Sequence, residues 1–389
     1  MLLTRSASRC NGPADASVVR EPAPGLPATL RTPYLVLDVD ACVDRFAVLA
    51  AAFGPAAVHY AVKANPHPAL VSALAAAGSR FDVASPGELD LCLAAGADSG
   101  ILVYSNPVKR GSDIAYAHRL GVRLFAADSF EEIVKLSVRA PGSDVLVRVG
   151  TTGAGSDWPL SGKFGCLAEE APTLLMEAAA LGLGAAGISF HVGSQQRDPR
   201  QWDAPVAAAA EVFRRLRREG LAPWLLDIGG GLPAAHEGVH PPLDTYQQAI
   251  GRSLTAHFGH DQPQLILEPG RAVVADAGTL VAEVLSVTSR GGRRWVYLDA
   301  GVYTGLVETL EEAIRYRLQT DHDDAALAPA VLAGPSCDSA DVLYEKSPVL
   351  LPVTLAEGDQ VRFLSAGAYT SSYSTVGFNG FAPLSTVLR

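Results

Sequence analysis

Short apolar runs recur through the first two thirds of the chain, and longer Ala- and Leu-rich stretches of helical spacing lie between them. The runs read VHYAVKA, RFDVAS, ILVYS, VRLFAAD, VLVRV, GISFHVG, LLDIGG and LILEPG, and the stretches between include PALVSALAAAG, PGELDLCLAAG and APVAAAAEVFRRLRREG. This alternation predicts an α/β protein with a parallel sheet. Eight β/α units predict a closed TIM-type (β/α)8 barrel over residues 38–276. From about Ala277 the texture changes to valine-rich runs with Gly-rich turns, such as GTLVAEVLSV, RRWVYLD and GDQVRFLS. A second, mostly β domain is therefore expected from residues 29–37 plus 277–389. Residues 1–28, rich in Ala, Pro, Ser and Gly and free of periodicity, read as a flexible leader.

Composition narrows function more than fold. With 389 residues, 48% hydrophobic and 19% charged, the chain is long enough for a barrel with an attached module. A formal charge of −10 argues against binding driven by phosphate-backbone contacts, so nucleic acid is not an expected partner. The cysteines Cys10, Cys42, Cys92, Cys166 and Cys337 are odd in number, widely spaced and free of any C-x-x-C pair, which points to a reducing compartment. No apolar run reaches the roughly 18 residues that a membrane span needs, and no signal peptide is evident. A cytoplasmic protein with no membrane partner is expected.

Polar residues cluster where the barrel strands would end: Lys63, Asp82, Asp128, Arg148, His191, Gly229 to Gly231 and Glu268. In such a barrel the C-terminal strand ends form the active-site face. Any one of these residues could merely solvate a loop; seven positions together mark a site. A lysine sheltered by apolar neighbours can have its pKa lowered by desolvation and attack an aldehyde, so Lys63 could hold a Schiff base. The rest of a pyridoxal phosphate site is legible around it. Asp227-Ile-Gly-Gly-Gly231 is a turn whose N–H groups could cradle a phosphate, or an ordinary tight turn. Glu268-Pro-Gly-Arg271 offers a carboxylate to a pyridinium nitrogen and a guanidinium to a phosphate, or a surface ion pair. His191, in SFHVGSQ, could stack on a flat ring with the Ser194 hydroxyl available to the phosphate, or be a satisfied core histidine.

Two motifs mislead. Gly182-Leu-Gly-Ala-Ala-Gly187 matches G-x-G-x-x-G, but it precedes a strand, the reverse of the dinucleotide-binding order, and reads as a helix-to-strand turn. His236-Glu237-Gly238-Val239-His240 matches H-E-x-x-H, yet Gly238 and Pro241-Pro242 oppose the helix that zinc ligation needs. A surface loop is expected there, and no metal.

The ordered set YAVKAN, FDVASPGEL, KFGC, SFHVGSQ, DIGGG, EPGR, GPSCDSAD and GAYTSSYSTVGFNGF resembles the fold-type III, pyridoxal-phosphate-dependent basic amino-acid decarboxylases, and among them the bacterial ornithine/lysine decarboxylases. The resemblance runs from about residue 32 to 389. That family's fold, a barrel followed by a β domain as in alanine racemase and ornithine decarboxylase, agrees with the periodicity. The resemblance implies that Lys63 forms the internal aldimine, that His191 stacks on the cofactor ring and that Glu268 keeps the pyridine nitrogen protonated. It places Ser194, Gly229, Gly230, Gly231, Gly270, Arg271 and Tyr369 around the phosphate, and has Asp82, Glu88 and Arg148 orient Lys63 and the ring. Cys337 would reprotonate Cα from the other subunit of a head-to-tail homodimer with shared sites; by itself it reads as a small buried hydrophobe.

The resemblance also bears on substrate. Asp338 would meet the distal amine, where diaminopimelate decarboxylases usually carry Glu and must also bind a second carboxylate. Asp299, in Leu298-Asp-Ala-Gly301, sits one residue earlier than the specificity carboxylate of eukaryotic ornithine decarboxylases, an offset shared by the bacterial relatives. Tyr303 and Phe378 complete the expected substrate-binding set, and Val302-Tyr-Thr-Gly305 departs from the K-F-G-G-like segment usual there. The expected reaction is L-ornithine to putrescine, as in polyamine biosynthesis. The alternatives are L-lysine or a modified ornithine as substrate, a diaminopimelate decarboxylase, an alanine-racemase-like enzyme, or a non-catalytic decarboxylase homologue.

Overall fold

Each of the eight apolar runs contains a strand: His59–Ala61, Arg80–Val83, Val103–Tyr104, Leu124–Ala127, Asp144–Arg148, Gly184–Ser189, Leu225–Asp227 and Gln264–Ile266. They pair in parallel in chain order, and a parallel bridge between Val58 and Leu267 joins the last to the first. The result is a nearly closed eight-stranded barrel in a computed structural model that describes residues 30–54, 57–322 and 324–389. The leader expected over 1–28 lies outside the described residues.

Alternate strand positions serve two cores. Val145, Val147 and Leu226 pack with helix residues such as Leu70, Ile133 and Val206, while Val103, Leu146, Ala186, Leu225 and Ile266 form a small separate cluster filling the barrel. Two helices that follow strands start on serine caps: Ser85 accepts from Glu88 N, and Ser129 from Glu132 N. These caps set each helix directly after a strand end and so hold the loops of the barrel's C-terminal face.

The second sheet has nine strands and its own apolar core, including Leu35, Leu280, Val296, Leu332 and Phe363. Its long central strand, Gly278–Arg290, pairs antiparallel with Tyr34–Leu37, Arg293–Leu298 and Gln360–Leu364. Tyr34–Leu37 pairs on its other side, in parallel, with Ser385–Leu388.

Gly182, with φ +80°, follows the helix Ala171–Ala180 and leads into Gly184–Ser189, the helix-to-strand turn the motif order implies. His236 to His240 is non-helical, but His236 is not on the surface: it is 3% exposed and its Nε2 lies 3.0 Å from Ser365 O. Among the described residues no group of three or more potential metal ligands is present, and no helix is long and apolar enough to cross a membrane.

Candidate active site

Lys63 leaves the first barrel strand in a single 3-10 turn, Val62–Ala64. Three bonds fix that turn: Tyr60 Oη donates to Asn65 O at 3.0 Å, Asn65 Nδ2 to Gly367 O at 2.9 Å, and Tyr369 N to Ala64 O at 2.8 Å. Lys63 Nζ lies 2.5 Å from Asp82 Oδ2 at the end of the neighbouring strand. Desolvation works to lower the basicity of Lys63, but the side chain is 45% exposed, and the Asp82 and Glu268 carboxylates outweigh that effect and hold the amine above the ordinary lysine range. The expectation of a depressed lysine is therefore corrected: the amine rests as an ammonium between two carboxylates. Glu88 stands behind Asp82 as part of the helix cap, its Oε2 accepting from Ala84 N at 2.7 Å.

Glu268 sits in a cluster of residues from neighbouring strand ends. Ser105 Oγ donates to Glu268 Oε1, and the fully buried Asp227 faces the same carboxyl. Burial and then Asp82 push Glu268 up to about 7, against the opposing pull of Lys63, Ser105 and Arg148. Burial and the Glu268 charge raise Asp227 well above the usual carboxylate range, so Asp227 is the protonated partner. Arg148, at the end of its strand, stacks on Phe164 at 5.7 Å, whose loop is pinned by Gly165 N donating to Asp128 Oδ2 at 2.9 Å. Asp128 thus serves a loop rather than the cluster.

His191 is held as a neutral ring. Its Nδ1 accepts from Gly193 N at 3.0 Å, and burial, followed by the Arg148 and Lys63 charges, drives its pKa down to about 3. The glycine turn lies against it. Gly229 (φ +64°) and Gly231 (φ +103°) adopt the left-handed conformation, and a Cβ on Gly230 would come within 2.7 Å of Glu268 O and 3.1 Å of His191 Nε2. A Cβ on Gly270 would fall 3.2 Å from Tyr369 Oη, and Tyr369 itself holds φ +56°, a strained value for an aromatic residue.

Arg271 forms no pair with Glu268. Its guanidinium is 3% exposed, bonds Glu308 twice at 2.6 and 2.9 Å, and donates through Nε and Nη2 to Ser194 Oγ at 3.1 Å. Because Ser194 Oγ accepts there, its own hydrogen is left to donate into the turn. The guanidinium is thus already engaged by Glu308 and Ser194, and a phosphate bound at the turn would be reached through Ser194.

These features fit pyridoxal phosphate. Asp82 Oδ1, beside the Lys63 amine, is buried without a hydrogen-bond partner, and the glycine turn and Gly270 run too close to their neighbours for any Cβ.

A second group of expected residues gathers on the β domain. Cys337 and Asp338 are exposed; Asn379 Oδ1 accepts from Cys337 N at 3.3 Å, Tyr303 hydrogen-bonds Asp338, and the Tyr303 and Phe378 rings lie 4.5 Å apart. Buried Asp341 organises this group, accepting from Val302 N at 2.8 Å and Ser336 N at 3.0 Å. Among the described residues no hydrogen bond, ion pair or ring contact joins Cys337, Asp338 or Tyr303 to Lys63. Asp299 is separate from both groups: its carboxylate accepts from Glu283 N at 2.8 Å and from the Thr32 side chain, pinning two strands.

Ser105, Glu308 and Asp341 were not singled out from the sequence. Ser105 closes the run ILVYS and carries the same strand-end signal as its neighbours; Asp341 closes GPSCDSAD; Glu308 lies in a 3-10 segment with no pattern linking it to Arg271.

Residues 39–275 match the family described as pyridoxal-dependent decarboxylase, pyridoxal binding domain. Over 358 residues the chain is 35% identical to the lysine/ornithine decarboxylase of Selenomonas ruminantium, covering 92% of this chain and 89% of that protein. The crystal structure of lysine/ornithine decarboxylase complexed with cadaverine from Vibrio vulnificus is similar at a TM-score of 0.83 and 34% identity, covering 92% of this chain and 94% of that one. The arginine decarboxylase of Paramecium bursaria Chlorella virus reaches a TM-score of 0.84 at 28% identity, covering 92% and 96%. The family match takes in every barrel strand, and this chain belongs to the fold-type III, pyridoxal-phosphate-dependent basic amino-acid decarboxylases, carboxy-lyases of the ornithine/lysine type.

Proposed function

We propose that this chain converts L-ornithine to putrescine and CO2, as a homodimer whose two sites each draw residues from both subunits. The observation that carries the substrate reading is the isolation of Asp338: it is an exposed carboxylate beside Cys337, and among the described residues no arginine or lysine is bonded to Cys337, Asp338, Tyr303 or Phe378. One anion suits one distal ammonium, whereas the second carboxylate of diaminopimelate would call for a cation. L-Lysine is the second reading, favoured by the relative named a lysine/ornithine decarboxylase. The shared site is supported by the exposure of Cys337 and of the apolar residues around it, Val376, Phe378 and Phe381.

Bound pyridoxal phosphate supplies an electron sink for the pair left by departing CO2. Lys63 would hold it through the amine that Asp82 orients, and substrate amine would take that place. Glu268 would hold a proton at the pyridine nitrogen, His191 would cover one face, and Ser194 with Gly229 to Gly231, Gly270, Arg271 and Tyr369 would surround the phosphate. Cys337 would return a proton to Cα, with Asp338, Tyr303 and Phe378 facing the side chain. Four cysteines, Cys42, Cys92, Cys166 and Cys337, are free among the described residues, which supports a reducing, cytoplasmic setting.

The test is incubation of the cofactor-loaded protein with equimolar L-ornithine, L-lysine, L-arginine and meso-diaminopimelate, with products identified by mass spectrometry. Putrescine as main product is expected; cadaverine, agmatine or lysine would reassign the substrate. Mixed Lys63→Ala and Cys337→Ala subunits should recover part of the activity that each lacks alone, and no recovery after verified exchange would remove the shared site.

A further inference from the structure

We propose that Ser105 is a positioning residue for Glu268: its hydroxyl, donated to Glu268 Oε1, orients that carboxylate and favours its ionised form where it is to meet the cofactor's pyridine nitrogen. The proposal rests on the reading of Glu268 given above.

Glu268 faces two acids, Asp82 and Asp227, and two cations, Lys63 and Arg148. Half-buried in that company, it needs donors to remain an acceptor, because a carboxylate without them takes up a proton instead. Asp227 can donate only while it carries the pair's proton, and its Oδ1 already accepts from Gly229 N at 2.8 Å. The Ser105 hydroxyl does not titrate, so its donation persists across the working pH range.

Its platform is also rigid. Ser105 is 8% exposed and its N–H donates to Val83 O on the adjacent strand at 3.3 Å. The loop that follows is anchored from beneath by Lys109, fully buried, whose Nζ donates to Asn106 O at 2.8 Å and Ala126 O at 2.6 Å and pairs with Glu132 at 3.0 Å. A side chain so placed suits orientation of a neighbour better than exchange with solvent.

The wild type, Ser105→Ala, Ser105→Thr and Glu268→Gln are compared in two measurements. In the apoprotein, infrared difference titration follows the carboxyl band that Glu268→Gln removes. In the holoenzyme, kcat and KM are followed against pH. Ser105→Ala should raise the Glu268 midpoint, a fall of about tenfold in its acid dissociation constant. It should move the acid limb of kcat in the same direction and lower kcat with KM little changed, while Ser105→Thr, which keeps the hydroxyl, stays close to wild type. An unmoved midpoint in Ser105→Ala beside an inactive Glu268→Gln overturns the role of Ser105 and leaves that of Glu268. A threonine variant as impaired as the alanine one also overturns it, and a fully active Glu268→Gln overturns the reading of Glu268 together with this proposal.

Discussion

A sequestered carboxylate becomes useful only through what surrounds it, and Glu268 and Glu308 are surrounded differently. Glu268 has a hydroxyl, a protonated aspartic acid and a nearby ammonium, and its worth should appear in the reaction. Glu268→Ala is expected to slow kcat by about 10- to 150-fold, the equivalent of about 1.5–3 kcal/mol for a hydrogen bond to a charged group, with a smaller effect on cofactor affinity. Steady-state kinetics set beside cofactor titration by absorbance separate the two. Glu308 instead closes a bidentate pair with buried Arg271. Glu308→Ala leaves an uncompensated guanidinium and should destabilise the fold by about 3–5 kcal/mol in urea denaturation, far more than exchange of both partners for apolar residues of similar volume. Lys63, Asp82 and Glu268 stand at strand ends and could be placed from the chain alone. Glu308 could not, because the partner that explains it lies 37 residues away across a fold boundary that no periodicity encodes.

At the scale of elements, the barrel was legible because each strand is a short apolar run and the helices between declare their own period. What lay hidden was pairing between distant segments. The turn chemistry of His236 to His240 reads as surface, yet Tyr316 and Ser365, from segments flanking strands of the second sheet, cover His236, with the His236 and Tyr316 rings 5.1 Å apart. Asp341 shows the same principle at the loop pair carrying Cys337. Its carboxylate holds Val302 N and Ser336 N, so one side chain sets the spacing between two loops. Asp341→Ala should cost about 1–3 kcal/mol for each N–H left unpaired. It should also lower kcat while cofactor binding in the barrel is unchanged, as kinetics and absorbance titration on the same preparation would show.

For the whole molecule, the buried histidines tie stability to pH. His236 has its pKa lowered to about 3, chiefly by burial and then by the Arg271 charge, so it is neutral in the folded state. The unfolded imidazole binds a proton below about pH 6.5, which makes this contribution present above that value and progressively lost as pH falls from there toward 3. Glu268 and Asp227, whose pKa values are raised, act with the opposite sign, so the comparison must be made between variants. Between pH 7 and pH 5 the wild type should lose about 2 kcal/mol more stability than His236→Gln, measured by urea denaturation at each pH.

The strand Tyr34–Leu37 has both of its partners far downstream, in Gly278–Arg290 and Ser385–Leu388, and Val58 closes the barrel only on Leu267. On the ribosome, then, the earliest strand emerges with nothing to join, and the eight parallel strands stay an unclosed curl with two bare edges until translation is well advanced. Synthesis that halts before Leu267 leaves a nascent chain that displays apolar strands it cannot close into the barrel. Slower elongation or added chaperones are therefore expected to raise the soluble yield of this chain.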